Sequence, residues 1–152
     1  MQIQHLLALG LAGLTAAQQG TPSLTDALAS QNSSLSSLIT LLGTQPDLVR
    51  ALGSLTNITI LAPNNDALGR FLNSSSSVPS ADAVTALLSY HVLNGTYYAS
   101  NITSTPAFVP TLLANETYAN VTGGQVVEAM AMNNSVLFYS GLGENSTVVT
   151  PV

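Results

Sequence analysis

The sequence has no cysteine, so a disulfide framework, a thiolate nucleophile and thiolate metal sites are all excluded. It is also poor in charge: only 6% of its 152 residues are charged, against roughly 25% in an ordinary soluble domain. Just two are basic, Arg50 and Arg70, and the net charge of −5 reflects this lack of bases rather than an acidic run. So few cations cannot release counterions from a phosphate backbone, which excludes nucleic acid as a partner. Nor can they form a basic patch for an anionic membrane. Hydrophobic residues, at 46%, are plentiful enough for a chain of this length to bury a core as one domain. On the same ground the chain is expected to fold rather than to be disordered.

Residues 6–14, LLALGLAGL, form a nine-residue apolar run. It is too short to span a bilayer, which takes about 20 apolar residues, but it suits the core of an export signal. Thr15-Ala16-Ala17 places small residues before Gln18, so the expectation is a signal peptide over 1–17, a short leader over 18–22 and one domain over 23–152. Near the C-terminus no further apolar segment suggests an anchor, and membrane insertion is not expected.

Asn-x-Ser/Thr occurs nine times, at Asn32, Asn57, Asn73, Asn94, Asn101, Asn115, Asn120, Asn133 and Asn145. With twelve Asn and 34 Ser or Thr in the chain, chance pairing would give roughly three. The excess predicts a secreted glycoprotein in which hydrated glycans take over the solubilising task of the missing charges. Asn57 and Asn120 are the less certain acceptors, because each borders a predicted strand.

Helical signals dominate the first half. Ser23-Leu24-Thr25-Asp26 predicts a capped helix start. Leu35, Leu38, Ile39 and Leu42 predict a second helix closed by Gly43, and Pro46 opens a third that ends at Gly53. Asn57–Ala62 is β-branched and predicts a strand ended by Pro63. Asn64 or Asn65 then caps a helix through Leu68 and Phe71, and Ser80 caps another through Leu88. Residues 73–77, NSSSS, read as a loop, 97–113 are irregular, and Asn94-Gly95 is a turn. The last 35 residues predict strands over 118–122, 125–132 and 135–139 and from about 146, with Gly123-Gly124 and Asn133-Asn134 as hairpin turns. Helices first and strands second indicate an α+β fold.

Two segments, 57–71 (NITILAPNNDALGRF) and 87–95 (LLSYHVLNG), together resemble the signature boxes of the fasciclin-type adhesion domain, and the β-rich tail resembles its second half. Leu61 and Leu68 stand where the family commonly has Phe. The resemblance implies N-terminal short helices packed on a wedge of mostly antiparallel strands. It also implies one more strand after Thr150-Pro151, so that with Val152 as the last residue the domain is expected to be C-terminally incomplete and to carry an exposed sheet position open to self-association. For function it implies a non-catalytic cell-surface or matrix adhesion module that contacts a cell-surface protein or extracellular polysaccharide through Tyr90, His91, Val92 and Leu93. It further implies a structural bond from His91 to Asn64, Asn65 or Asp66.

Other chemistry finds little support. His91 is the one histidine outside the expected signal peptide, too few for a zinc site. One carboxylate in Asn64-Asn65-Asp66 is too little for calcium, so no metal or cofactor is expected. A triad of His91 with a Ser and Asp66 or Asp82 lacks a Gly-x-Ser-x-Gly elbow. Gly141-Leu-Gly143-Glu-Asn-Ser146 misses the last position of a dinucleotide fingerprint and reads as a turn. A secreted carbohydrate-active enzyme or small-ligand carrier at the cell wall is the alternative.

Overall fold

The computed structural model describes residues 4–10, 23–74 and 79–151. The expected cleavage site, the 18–22 leader and residues 75–77 of the NSSSS segment lie outside these. Chain order is β1 (Gln4–Gly10), α1 (Leu24–Ala29), α2 (Asn32–Gly43), α3 (Pro46–Ser54), β2 (Ile58–Pro63), α4 (Asn65–Ser74), α5 (Ala81–Tyr90), β3 (Val92–Asn94), β4 (Ala107–Pro110), β5 (Val126–Met132), β6 (Ser135–Tyr139) and β7 (Asn145–Pro151), with a 3-10 turn at Ala99–Asn101. The α+β expectation is met: helices fill the first half and antiparallel pairing dominates the second.

The caps form as the residue types demand. Ser23 accepts from the Asp26 N–H and Ser80 from the Ala83 N–H, each satisfying one orphan donor of a helix start. Asn133 and Asn134 both have positive φ, 50° and 64°, which matches a two-residue hairpin and sets the β5–β6 register from Met132 opposite Ser135 onward.

Seven strands form one sheet in the order β3-β2-β1-β7-β6-β5-β4. Its two ends meet. Leu93 bridges to Thr111 just past β4, and the Leu112 N–H donates to the Val92 carbonyl at 2.8 Å, so the sheet curls back on itself. β2 is buried at all six positions because both of its faces are covered. Ile58, Ile60 and Ala62 meet the helices, packing with Leu35, Leu38 and Leu88. Leu61 faces the inside of the curl with Leu93, Val127 and Phe138. This period-2 split divides the core into a helix-side and a sheet-interior cluster.

The tail departs from expectation in one place. Residues 118–122 are not a strand: Asn115 folds the segment into turns, its carbonyl accepting from the Tyr118 and Ala119 N–H groups and its side chain from Thr117 N–H at 2.9 Å. Gly123-Gly124 therefore joins no hairpin. β5 starts after it, and its partner is β4, drawn from the stretch read as irregular. Local Asn turn chemistry outweighs the β propensity of Tyr118 and Val121.

Candidate functional site

The Tyr-His segment is a helix-to-strand corner. α5 ends at Tyr90, His91 caps it with its N–H on the Leu88 carbonyl, and β3 starts at once with Val92. The abrupt switch sends the four expected contact residues in different directions. Val92 is 2% exposed and belongs to the helix-side core, whereas Leu93 is 0% exposed and belongs to the sheet interior. Tyr90 and His91 are only partly buried. The expected surface thus separates into two core residues and two that reach solvent.

The Tyr90 hydroxyl accepts from the Gly141 N–H at 3.2 Å, tying the end of α5 to the β6–β7 turn. Burial raises the pKa of this phenol, and the Gly141 bond partly opposes the shift. The Tyr90 and His91 rings meet edge to face, with centroids 6.1 Å apart and planes at 89°.

His91 makes a different bond from the one expected. Its Nδ1 lies 2.8 Å from the Leu87 carbonyl, one turn back along its own helix. Asn64 instead caps α4, accepting from Ala67 N–H at 2.9 Å. Asn65 clamps α4 to α2: its Oδ1 accepts from Ser37 N–H at 2.9 Å and from the Ser36 hydroxyl, and its Nδ2 donates to the Ser33 carbonyl. Asp66 is exposed. The two signature segments are joined through the backbone, by Leu61 N–H on the His91 carbonyl at 2.8 Å and by the β2–β3 ladder. An Asx residue directly after a strand is placed to cap its own helix, and a long-range imidazole bond would compete with that.

Burial lowers the His91 pKa below its ordinary 6.5, against a smaller opposite effect of the Leu87 carbonyl. The unfolded chain therefore binds the proton more readily, and stability falls as pH drops through 6.5. We expect a melting temperature that is flat above about pH 7 and declines toward pH 5.5, with the decline abolished in His91→Gln. A His91→Gln variant that keeps the wild-type slope would place the titrating group elsewhere.

Around Tyr90 lies a cavity of about 340 Å³ whose lining includes Leu61, Phe138, Tyr139, Ser140, Leu142 and Glu144. Leu142, 88% exposed, stands beside it on the β6–β7 turn. Sequence reasoning missed this half of the site, because Gly141 lies 51 residues from Tyr90. The one local signal was an apolar Leu142 set between Gly141 and Gly143. A separate cavity of about 420 Å³ lies among α1, α2 and α3, lined by Leu24, Leu28, Ile39, Leu42 and Val49 with Arg50. Its walls are mostly apolar, and its one charged lining residue, Arg50, is paired with Asp47 at 3.0 Å.

All nine sequon asparagines are exposed, Asn57 and Asn120 included. Asn57, with φ at 57°, lies in the bend just before β2, and Asn133, with φ at 50°, in the β5–β6 turn. Among the described residues no helix is long and apolar enough to cross a membrane.

Short helices laid on a sheet that curls shut, with a strand-Pro-Asn-Asn-Asp-helix unit beside a Tyr-His corner, define a fasciclin-type domain. The chain belongs to that family: the Fasciclin domain model matches residues 33–150. It is similar to a "Fasciclin-like arabinogalactan protein" of Arthroderma benhamiae, at 30% identity over 122 residues, which cover 77% of this chain and 29% of that protein. It is also similar to "Fasciclin-like arabinogalactan protein elcF" of Phaeosphaeria nodorum, at 35% identity over 130 residues, 80% of this chain and 41% of that one. The chain thus spans less than half the length of these relatives.

Proposed function

We propose that this protein is a secreted, N-glycosylated, non-catalytic adhesion module that contacts the cell surface or wall through the Tyr90 cavity. The observation that carries the reading is the Tyr90–Gly141 bond, which holds an aromatic ring, partly open to solvent, against an exposed Leu142 turn. A rigid aromatic anchor beside apolar area is what a contact site needs, since it presents surface at little entropic cost. Among the described residues nothing accepts from the Tyr90 hydroxyl, so its proton can be donated outward.

The partner that fits best is a neutral wall polysaccharide. The face offers Tyr rings, Ser140 and one carboxylate, Glu144, but no cation to hold an acidic polymer. Among the described residues the one hydrogen bond of the His91 ring is to the Leu87 carbonyl, and neither a Ser hydroxyl nor a carboxylate is bonded to it, so no triad is assembled there. Nine exposed sequons and the arabinogalactan naming of the relatives support a glycosylated protein at the wall.

The test is binding to a washed cell-wall polysaccharide fraction. Tyr90→Ala should weaken binding by at least about tenfold while the thermal midpoint shows the protein still folded. Unchanged binding would move the contact face elsewhere. Release of reducing sugar, lost in Glu144→Gln, would overturn the non-catalytic reading in favour of a carbohydrate-active enzyme.

A further inference from the structure

The helices pack against one part of the sheet: α2 and α4 on β2, α4 also on β1, and α5 on β3. Strands β4 to β7 turn Val109, Val127, Phe138 and Val148 into the curl. Strand side chains alternate, so the residues between these point outward. The outward set includes Phe108, Val126, Met130, Met132, Leu137 and Tyr139, and its one charged member is Glu128. Phe108 is 71% exposed and Met132 43%, so no described element covers this face. Soluble proteins keep exposed apolar patches small or cover them.

One sequon stands on this face. Asn145 opens β7 opposite Tyr139, Tyr139 lies opposite Glu128, and Glu128 lies opposite Phe108, so the four residues form one row across four strands. Directly opposed residues have Cβ atoms about 5 Å apart, and at about 4.8 Å per strand the row is about 14 Å long. Thr147, the third residue of the sequon, lies on the same face of β7, opposite Leu137. The other eight sequon asparagines are placed differently. Asn94 is the one among them in a strand, and it lies opposite the buried Ile58. An aromatic ring beside an exposed acceptor in a ladder is therefore particular to Asn145.

We propose that Asn145 carries an N-glycan whose first sugars lie along this row, stacked on Tyr139 and running over Glu128 toward Phe108. The proposal rests on the glycoprotein part of the reading above and assigns one site and its role. A pyranose ring has an apolar C–H face and a rim of hydroxyls. Laid on the Tyr139 ring, it removes apolar area from water and presents hydroxyls in its place. Glu128, in the middle of the row, accepts from sugar hydroxyl or acetamido N–H groups. The glycan is thus the cover that the outer face of β4 to β7 lacks in the polypeptide itself.

The test uses the protein secreted from a eukaryotic host, with occupancy of Asn145 read by peptide mass spectrometry. Asn145→Gln identifies the resonances of this glycan by their loss. In the wild type its ring protons should be shifted upfield by the Tyr139 ring current, and in Tyr139→Leu, which keeps the apolar bulk, the shift should vanish. Asn145→Gln should also raise the fluorescence of an apolar dye by at least about twofold, whereas Asn94→Gln should leave it unchanged. Tyr139 also borders the Tyr90 cavity, so both readouts are taken on the outer face rather than from wall binding. An unmodified Asn145 beside occupied sequons elsewhere would overturn the proposal and leave the glycoprotein reading standing, while a chain with no occupied sequon would overturn both. Unshifted glycan protons, or a dye signal that is unchanged in Asn145→Gln or rises equally in Asn94→Gln, would also overturn it. A glycosylated wild type that dimerises through Phe108 and Tyr139 would overturn it in favour of a second copy of this chain.

Discussion

Leu93→Ala is expected to destabilise the protein by about 2–5 kcal/mol, the range for truncating a fully buried Leu. Leu93 has no exposed surface, lies opposite Thr59 in the β2–β3 ladder and bridges to Thr111 where the sheet ends meet. A cavity there loosens both the interior cluster and the closure of the curl. Urea denaturation followed by circular dichroism reads the effect as a lower midpoint with little change in slope. An unchanged midpoint would contradict the placement of Leu93. The result matters for function because Leu93 belongs to the expected contact segment. Weakened adhesion in this variant should track its unfolded fraction, whereas weakened adhesion in Tyr90→Ala should not.

Thr59→Val, nearly isosteric, is expected to cost about 2–3 kcal/mol, because it orphans two polar groups at once. The Thr59 hydroxyl, on a residue only 1% exposed, donates to the Gly95 carbonyl at 2.9 Å and accepts from the Tyr97 N–H at 2.9 Å. It pins the turn that follows β3. That turn also requires glycine: Gly95 has φ of 139°, and a Cβ there would lie 2.7 Å from the Tyr97 ring. Thr59→Ser keeps the hydroxyl and should retain most of the stability, apart from the loss of one methyl. Equal melting of Thr59→Val and wild type would show that water satisfies these groups.

Elements whose signal is local were legible in the sequence. The caps at Ser23 and Ser80, the Pro46 helix start and the Asn133-Asn134 hairpin each follow from a residue type acting within three or four positions. The resemblance of residues 57–71 and 87–95 identified the family correctly. Contacts set by the curl of the sheet were not legible. Nothing near Tyr90 announces Gly141, and nothing near Leu93 announces Thr111, because a sheet that closes on itself brings together residues far apart in sequence. The Asn64-Asn65-Asp66 segment was read as a partner for His91, but its Asx groups serve helix α4 and the α2–α4 clamp instead. Likewise Tyr118 and Val121 carried strand propensity that the Asn115 turns overrode. The apolar N-terminal run suits an export signal, and the fold uses part of it as a central strand, since both roles draw on short uncharged apolar segments.

The most direct measurement is an amide-exchange footprint of the folded protein with and without bound wall polysaccharide. A contact face built on Tyr90 should slow exchange at the end of α5, Ser89–His91, and through the β6–β7 turn, residues 140–144, with no change along α1 to α3. Binding that leaves both segments unprotected, or that protects residues 24–50 around the helix-side cavity instead, would contradict the account.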